Sequence, residues 1–261
     1  MDKVETGEFH KAIEAKAFMN MLRAFYQQPL EIDGYDDLNY MTDDAKFYGC
    51  LPIVSYALNA TLSRGDEEGR YLNDIPPHHG PNLIASAASL RNASLFKECV
   101  VLCAGPWKDP EFCEESFRHE HDREKYFMLP YELYKRISES IASVHWDFIT
   151  CSTRGDEDDN KTRDEKAAWR HTMEVTAEKL KSRTENHDIP RAEYYRSLLD
   201  EEFGPFGCEY IREELKDLLE NRLPINRRAE AGKADFKEHF ISVQVYDHEL
   251  PWDVNDTSMD W

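Results

Sequence analysis

Cys99, Cys103 and Cys113, followed by His119 and His121, are the residues of this chain best suited to bind a metal. Thiolate and imidazole are the ligands zinc prefers, and structural zinc sites usually pair them across a tight knuckle. Cys99 and Cys103 lie instead one helical turn apart inside an apolar run, where free cysteines behave as small hydrophobes. His119-Glu120-His121-Asp122 would point alternate ligands to one side of a strand. Its neighbours Arg118 and Arg123-Glu124-Lys125 read rather as a solvated loop or helix end, and His78-His79 sits among prolines in a similar way. Neither histidine pair is placed with a third ligand, so no metal site is expected.

Other chemistries find no better footing. The chain has no G-x-S-x-G elbow, no cysteine in a recognisable setting with a histidine base, and neither phosphate-loop motif; its 11 glycines are scattered. Carboxylate pairs are abundant, but 52 acidic residues guarantee that, so they diagnose nothing. The expectation is a protein with no catalytic residues and no cofactor, one that acts through its surface.

The formal charge of −20, from 52 acidic against 32 basic residues, would repel a phosphate backbone and argues against direct nucleic-acid binding. A hydrophobic content of 41% in 261 residues is enough for a sizeable core, while 32% charged residues imply solvated segments beside it. The densest apolar run, residues 99–104, is far too short to span a bilayer, and the first residues lack the apolar segment of a signal peptide. An intracellular protein, cytoplasmic or nuclear and without membrane contact, is therefore expected. In that setting the six cysteines are thiols and the sequons at Asn59, Asn92, Asn160 and Asn255 are accidental.

The elements that would carry such a surface are mostly helical. Phe18, Met21, Leu22 and Phe25 recur at i, i+3, i+4 and i+7 and predict one buried helix face, followed by a short extended stretch at Leu30, Glu31 and Ile32. Gly49 then ends one helix and Pro52 opens the next. Residues 82–101 read as a further helical stripe running into Gly105-Pro106-Trp107. Between them, residues 64–70 and 76–81 are breakers that place a loop.

Leu133, Ile137, Ile141, Val144 and Phe148 keep helical spacing, which argues for packing against the preceding helices. Residues 153–160 form a charged linker without apolar residues, and residues 164–184 an amphipathic helix with a narrow seam at Trp169, Met173, Thr176 and Leu180. Tyr194, Tyr195, Leu198 and Leu199 belong to one later helix, and Tyr210, Ile211, Leu215, Leu218 and Leu219 to another. Gly204-Pro205-Phe206-Gly207 separates them. Residues 240–246 have the alternation and branching of a strand, for which residues 30–32 are the one candidate partner.

Four of these stretches occur in the order found in a large set of fungal BTB/POZ-domain proteins. They are the F-x-x-M/L-L-x-x-x-Y helix at residues 18–26, the A-D/K-x-Y-x-x-L-P-x-V-S stretch at 45–55, the A-x-x-L-R-x-x-x-L-F-x-E-C stretch at 87–99, and Gly105-Pro106-Trp107. The ending, Glu238-His239-Phe240-Ile241-Ser242-Val243 with Glu249-Leu250-Pro251-Trp252-Asp253, is also similar to theirs. The chain thus resembles the C-terminal half of a BTB/POZ domain with its helical extension. The sheet and first helix that open a complete BTB fold have no counterpart in the 17 residues before Phe18.

The resemblance implies a mostly α protein with BTB-like helices, a helical extension and a short C-terminal β-strand. It divides the chain into a partial BTB-like region at residues 1–62, a helical extension at 63–152, a charged linker at 153–164 and a C-terminal helical region with strand and tail at 165–261. It further implies an adaptor or scaffold that binds proteins, a cullin-type ubiquitin ligase among them, and that self-associates. Without the sheet, the alternative is a cullin-independent helical scaffold or truncated BTB remnant, without catalytic activity, that binds a partner through the Trp169 seam or the C-terminal tail. Gln27, Gln28 and Tyr35 are the expected contacts on the cullin-facing side, Trp169 is a candidate contact in a seam that could pair with another helix, and Trp252 is an aromatic of the kind favoured at interface hot spots. Tyr48 and Trp107 are further aromatic anchors, with core packing the preferred reading for Trp107.

Overall fold

The computed structural model of the chain describes residues 3–63, 72, 75–106, 121–154, 191–200 and 209–256. Among them it is mostly helical, as expected, with eight α-helices: α1 (Lys3–Phe25), α2 (Tyr35–Phe47), α3 (Leu51–Ser63), α4 (Gly80–Ser89), α5 (Ala93–Ala104), α6 (His121–Arg154), α7 (Arg191–Asp200) and α8 (Glu209–Leu218). α1 packs on α2 and α3, α2 on α4, α4 on α5, and α5 on α6, which also meets α8. One continuous core runs through them, from Ala17 on α1 to Leu250 near the end of the described chain.

Three helices, α1, α2 and α4, end where the backbone turns left-handed. At Gly49, with φ +66°, the N–H of Cys50 bonds to the Ala45 carbonyl and that of Gly49 to Lys46, so the last carbonyls of α2 are satisfied by a Schellman motif. The same pair of bonds closes α1 at Gln27 (φ +54°) and α4 at Arg91 (φ +45°), where the residue is not glycine. The second of these breaks the single helical stripe expected over residues 82–101 into α4 and α5. Asn92 completes the break: its buried Oδ1 accepts the Leu95 N–H and caps α5, while its Nδ2 donates to Asn59 on α3.

α5 is the centre of the molecule. Its residues 98–104 are all buried, which is why this stretch reads as apolar on every side rather than as a stripe. On α6, Leu133, Ile137, Ile141 and Val144 are buried at the expected spacing, and the helix extends to Arg154, the start of the expected linker. Residues 155–164 of that linker and the 164–184 helix with Trp169 lie outside the described residues, as does Trp107.

Two expectations are corrected. α1 buries Ala17, Asn20, Met21 and Ala24, a face rotated from the one its aromatics suggested, and leaves Phe18 and Phe25 exposed. The small Ala17 and Ala24 face the core, and Asn20 is drawn in because its amide replaces a missing strand: Nδ2 donates to the Glu31 carbonyl and Oδ1 accepts the Glu31 N–H, at 2.7 and 2.9 Å. Residues 30–32 are thus held by side chains, with Leu30 N–H bound to Thr61 Oγ1, and form no strand.

Residues 240–246, the expected C-terminal strand, also join no sheet among the described residues. The segment begins beside one isolated antiparallel bridge, His239 to Pro106, with the Phe240 N–H on the Gly105 carbonyl at 3.1 Å. Gly105 admits it, since a Cβ there would come within 3.0 Å of the His239 ring and 3.2 Å of the Phe240 carbonyl. The branched side chains are used, but against helices: Phe240, Ile241 and Val245 are buried in the common core.

The C-terminal residues then strap the centre. Lys97 on α5 pairs with Asp247 at 2.5 Å, Arg91 with Asp256 at 2.8 Å, and Arg136 on α6 with Glu249. Leu250 is buried among them.

Candidate interaction surface

The residues expected to meet a partner are mostly engaged within the chain. Gln27 and Gln28 are exposed, but their backbones close α1, so both have a structural task whatever their side chains meet. Tyr35 opens α2 half-buried, with its ring edge-on to His79 at 4.8 Å. Trp252 is half-buried and edge-on to Phe96 of α5 at 5.2 Å, anchoring the tail. The structure brings none of these together.

What it does bring together is an aromatic cluster on the outside of α1 and α2. Phe47, the last residue of α2, is 83% exposed; Tyr48 after it is 56% exposed and Phe18 of α1 42% exposed. Phe47 and Tyr48 meet edge-on at 5.0 Å, and Tyr48 tilts onto Phe18 at 6.3 Å. The turn at Gly49 holds the first two outward, and the rotated register of α1 supplies the third. Single exposed aromatics are ordinary; touching ones form a contiguous exposed apolar patch.

The rim of this cluster is acidic. Burial raises the Asp44 pKa, with Glu14 of α1 and neighbouring Asp43 adding repulsion, so three carboxylates share one edge. Lys46 reaches Asp43 only at 3.8 Å. Deeper in, Lys16 binds Asp37 and Asp33 at 2.5 and 2.6 Å and ties α1 to the start of α2.

Sequence reasoning placed Phe18 inside and did not single out Phe47. The signal was the position of Phe47-Tyr48 immediately before the helix-stopping Gly49, where a side chain projects past the end of its helix.

Cys50, Cys99 and Cys103 are buried thiols outside any disulfide. Burial pushes the Cys99 thiol well above its ordinary range, with Glu98 adding to the effect, so it stays protonated and packs as a hydrophobe. Cys113, His119 and the side chain of His121 lie outside the described residues. Among the described residues no group of three or more histidine, cysteine, aspartate or glutamate side chains is arranged to hold a metal ion, and no helix is long and apolar enough to cross a membrane.

Two buried titratable groups are structural. Glu98 on α5 is fully buried and accepts the N–H groups of Ile225 and Asn226 at 2.9 and 3.1 Å, fixing the loop after α8 to the central helix. Burial outweighs those two bonds and raises its pKa to about 7. His239, beside Gly105, has neither ring nitrogen hydrogen-bonded among the described residues; burial, with His78 adding repulsion, lowers its pKa to about 4.

Comparison of the chain with family models, with curated proteins and with solved structures found no match.

Proposed function

We propose that this chain is a protein–protein interaction module of the adaptor or scaffold kind, and that Phe18, Phe47 and Tyr48 form its principal contact surface. The observation that carries the reading is the contact of Tyr48 with both Phe47 and Phe18 while all three rings stay exposed to water. Covering an aromatic side chain in an interface contributes about 1.5–3 kcal/mol, and such residues dominate hot spots. The ordered BTB/POZ-like motifs support the same reading and name a cullin-type ligase subunit as the first partner to look for. The protein works without a catalytic site or cofactor, inside the cell.

The test is affinity purification of the tagged full chain from its own organism, with Phe47→Ser and with the Phe18→Ser, Phe47→Ser pair in parallel. Sedimentation of each purified protein over a concentration series separates self-association from binding another chain. Partners enriched by the wild type and lost from folded variants support the surface, and a cullin among them supports the adaptor role. Equal recovery by all three proteins refutes the surface; enrichment without a cullin favours the cullin-independent scaffold.

A further inference from the structure

A second surface lies far from these aromatics in sequence, in a cleft of about 660 Å³ between α6, α8 and residues 242–246. That volume is within the range of natural ligand sites. Residues 240–246 have a strand's sequence pattern, yet no strand pairs with them among the described residues. The Ile241 carbonyl accepts the Arg222 N–H at 2.9 Å, and the Tyr246 N–H goes to the Glu249 carboxylate at 2.8 Å. Between those two points, the backbone groups of residues 242–245 have no hydrogen-bond partner among the described residues. Arg222 also lines the cleft, and its backbone already pairs with Ile241 at one end of this segment.

The charges of the cleft select the occupant. Both its arginines are already engaged, Arg136 with Glu249 and Arg222 with Glu220. Glu139, Glu214 and Asp217 line the same cleft and enter no ion pair among the described residues. The cleft therefore offers open backbone on one wall and unmatched carboxylates on the others.

We infer that it binds an extended, basic segment of a partner protein, which adds as a strand along residues 242–245 and places its lysines or arginines against Glu139, Glu214 and Asp217. Main-chain bonds supply affinity in this mode of recognition, and side chains on alternate residues supply selectivity. The site is independent of the aromatic surface.

Fluorescence anisotropy with the full chain and a short labelled peptide alternating lysine and valine tests it. Saturable binding is expected, weakened about tenfold or more by the Glu214→Gln, Asp217→Asn pair, by Val243→Pro, and by N-methylation of the peptide throughout. The N-methylated peptide needs no change in the protein, so the result stands even where Val243→Pro fails to fold. Phe47→Ser should bind the probe like the wild type. No saturable binding, equal binding of the N-methylated peptide or of one with glutamate in place of lysine, unchanged binding by the carboxamide pair, or loss on Phe47→Ser overturns the proposal.

Discussion

At the scale of single residues, two kinds of position define what the chain tolerates. Gln27 and Gly49 occupy the same place in the same helix-ending motif, one with a side chain and one without. A left-handed conformation costs a non-glycine residue about 1 kcal/mol. Gln27→Gly should therefore stabilise the protein by roughly 0.5–1 kcal/mol, and Gly49→Ala should destabilise it by about 1 kcal/mol, both read from urea unfolding. Nothing lies within 4 Å of a Cβ at Gly49, so the loss there is one of backbone conformation alone.

Glu98 and His239 make stability depend on pH in opposite senses. Glu98 binds its proton more tightly folded than unfolded, its pKa rising from 4.5 to about 7, so its contribution is complete below pH 4.5 and lost as pH rises through about 7. His239 falls from 6.5 to about 4, so its contribution is complete above pH 6.5 and lost as pH falls through about 4. Each effect amounts to about 3 kcal/mol. Unfolding midpoints measured across this range should show Glu98→Gln flattening the alkaline side of the profile and His239→Gln the acid side. An unchanged profile in either variant would contradict the assignment for that group.

At the scale of elements, the helices were legible because their apolar spacing, their stops and their starts agree. Gly49 and Pro52 bound α2 and α3, and Leu133, Ile137, Ile141 and Val144 of the α6 spacing are buried, the Phe148 side chain lying outside the described residues. Three features were not legible, each because a polar side chain or a distant segment decides it. The face that α1 buries depends on Asn20 finding the Glu31 backbone, an interaction no periodicity encodes. The break between α4 and α5 depends on Arg91 adopting a conformation that glycine or asparagine would have advertised. The strand-like residues 240–246 have the right composition, but composition does not say whether a sheet or a helix layer receives it. The aromatic surface was hidden for the first of these reasons, since the wrong register of α1 put Phe18 inside. Tyr35 and Trp252, expected as partner contacts, each pack a ring within the chain, on His79 and Phe96.

Gly232 shows how closely elements meet where the chain returns on α7. It has φ +80°, and a Cβ there would lie 2.4 Å from the Ala192 carbonyl oxygen and 2.8 Å from the Arg196 Cβ. Arg196 holds this approach by donating to the carbonyls of Ala231 and Leu219. Gly232→Ala should destabilise by about 2–4 kcal/mol, from overpacking together with the backbone cost, measured as a lowered unfolding midpoint.

At the scale of the whole molecule, the C-terminal region completes the core. Phe240, Ile241 and Leu250 are buried in the same cluster as the helices before residue 154, and Glu98 depends on Ile225 and Asn226 for its hydrogen bonds. A chain cut after residue 152 should therefore fail to unfold cooperatively and should bind a hydrophobic dye, whereas the full chain unfolds in one transition. A truncated form that melts cooperatively would show that residues 191–256 are an accessory to the core. Partner mapping is accordingly better done with point variants in the full chain than with fragments.

The bond from Ile225 to Glu98 spans 127 positions of sequence. At about 5–20 residues per second, a ribosome delivers α5 roughly 6–25 s before the loop that will cover its carboxylate. Throughout that interval α5, with Cys99 and Cys103 in a stretch that the finished protein buries completely, has left the exit tunnel without its other half. The nascent chain is thus a client for holding factors and a target for thiol oxidation at a stage the finished protein never revisits.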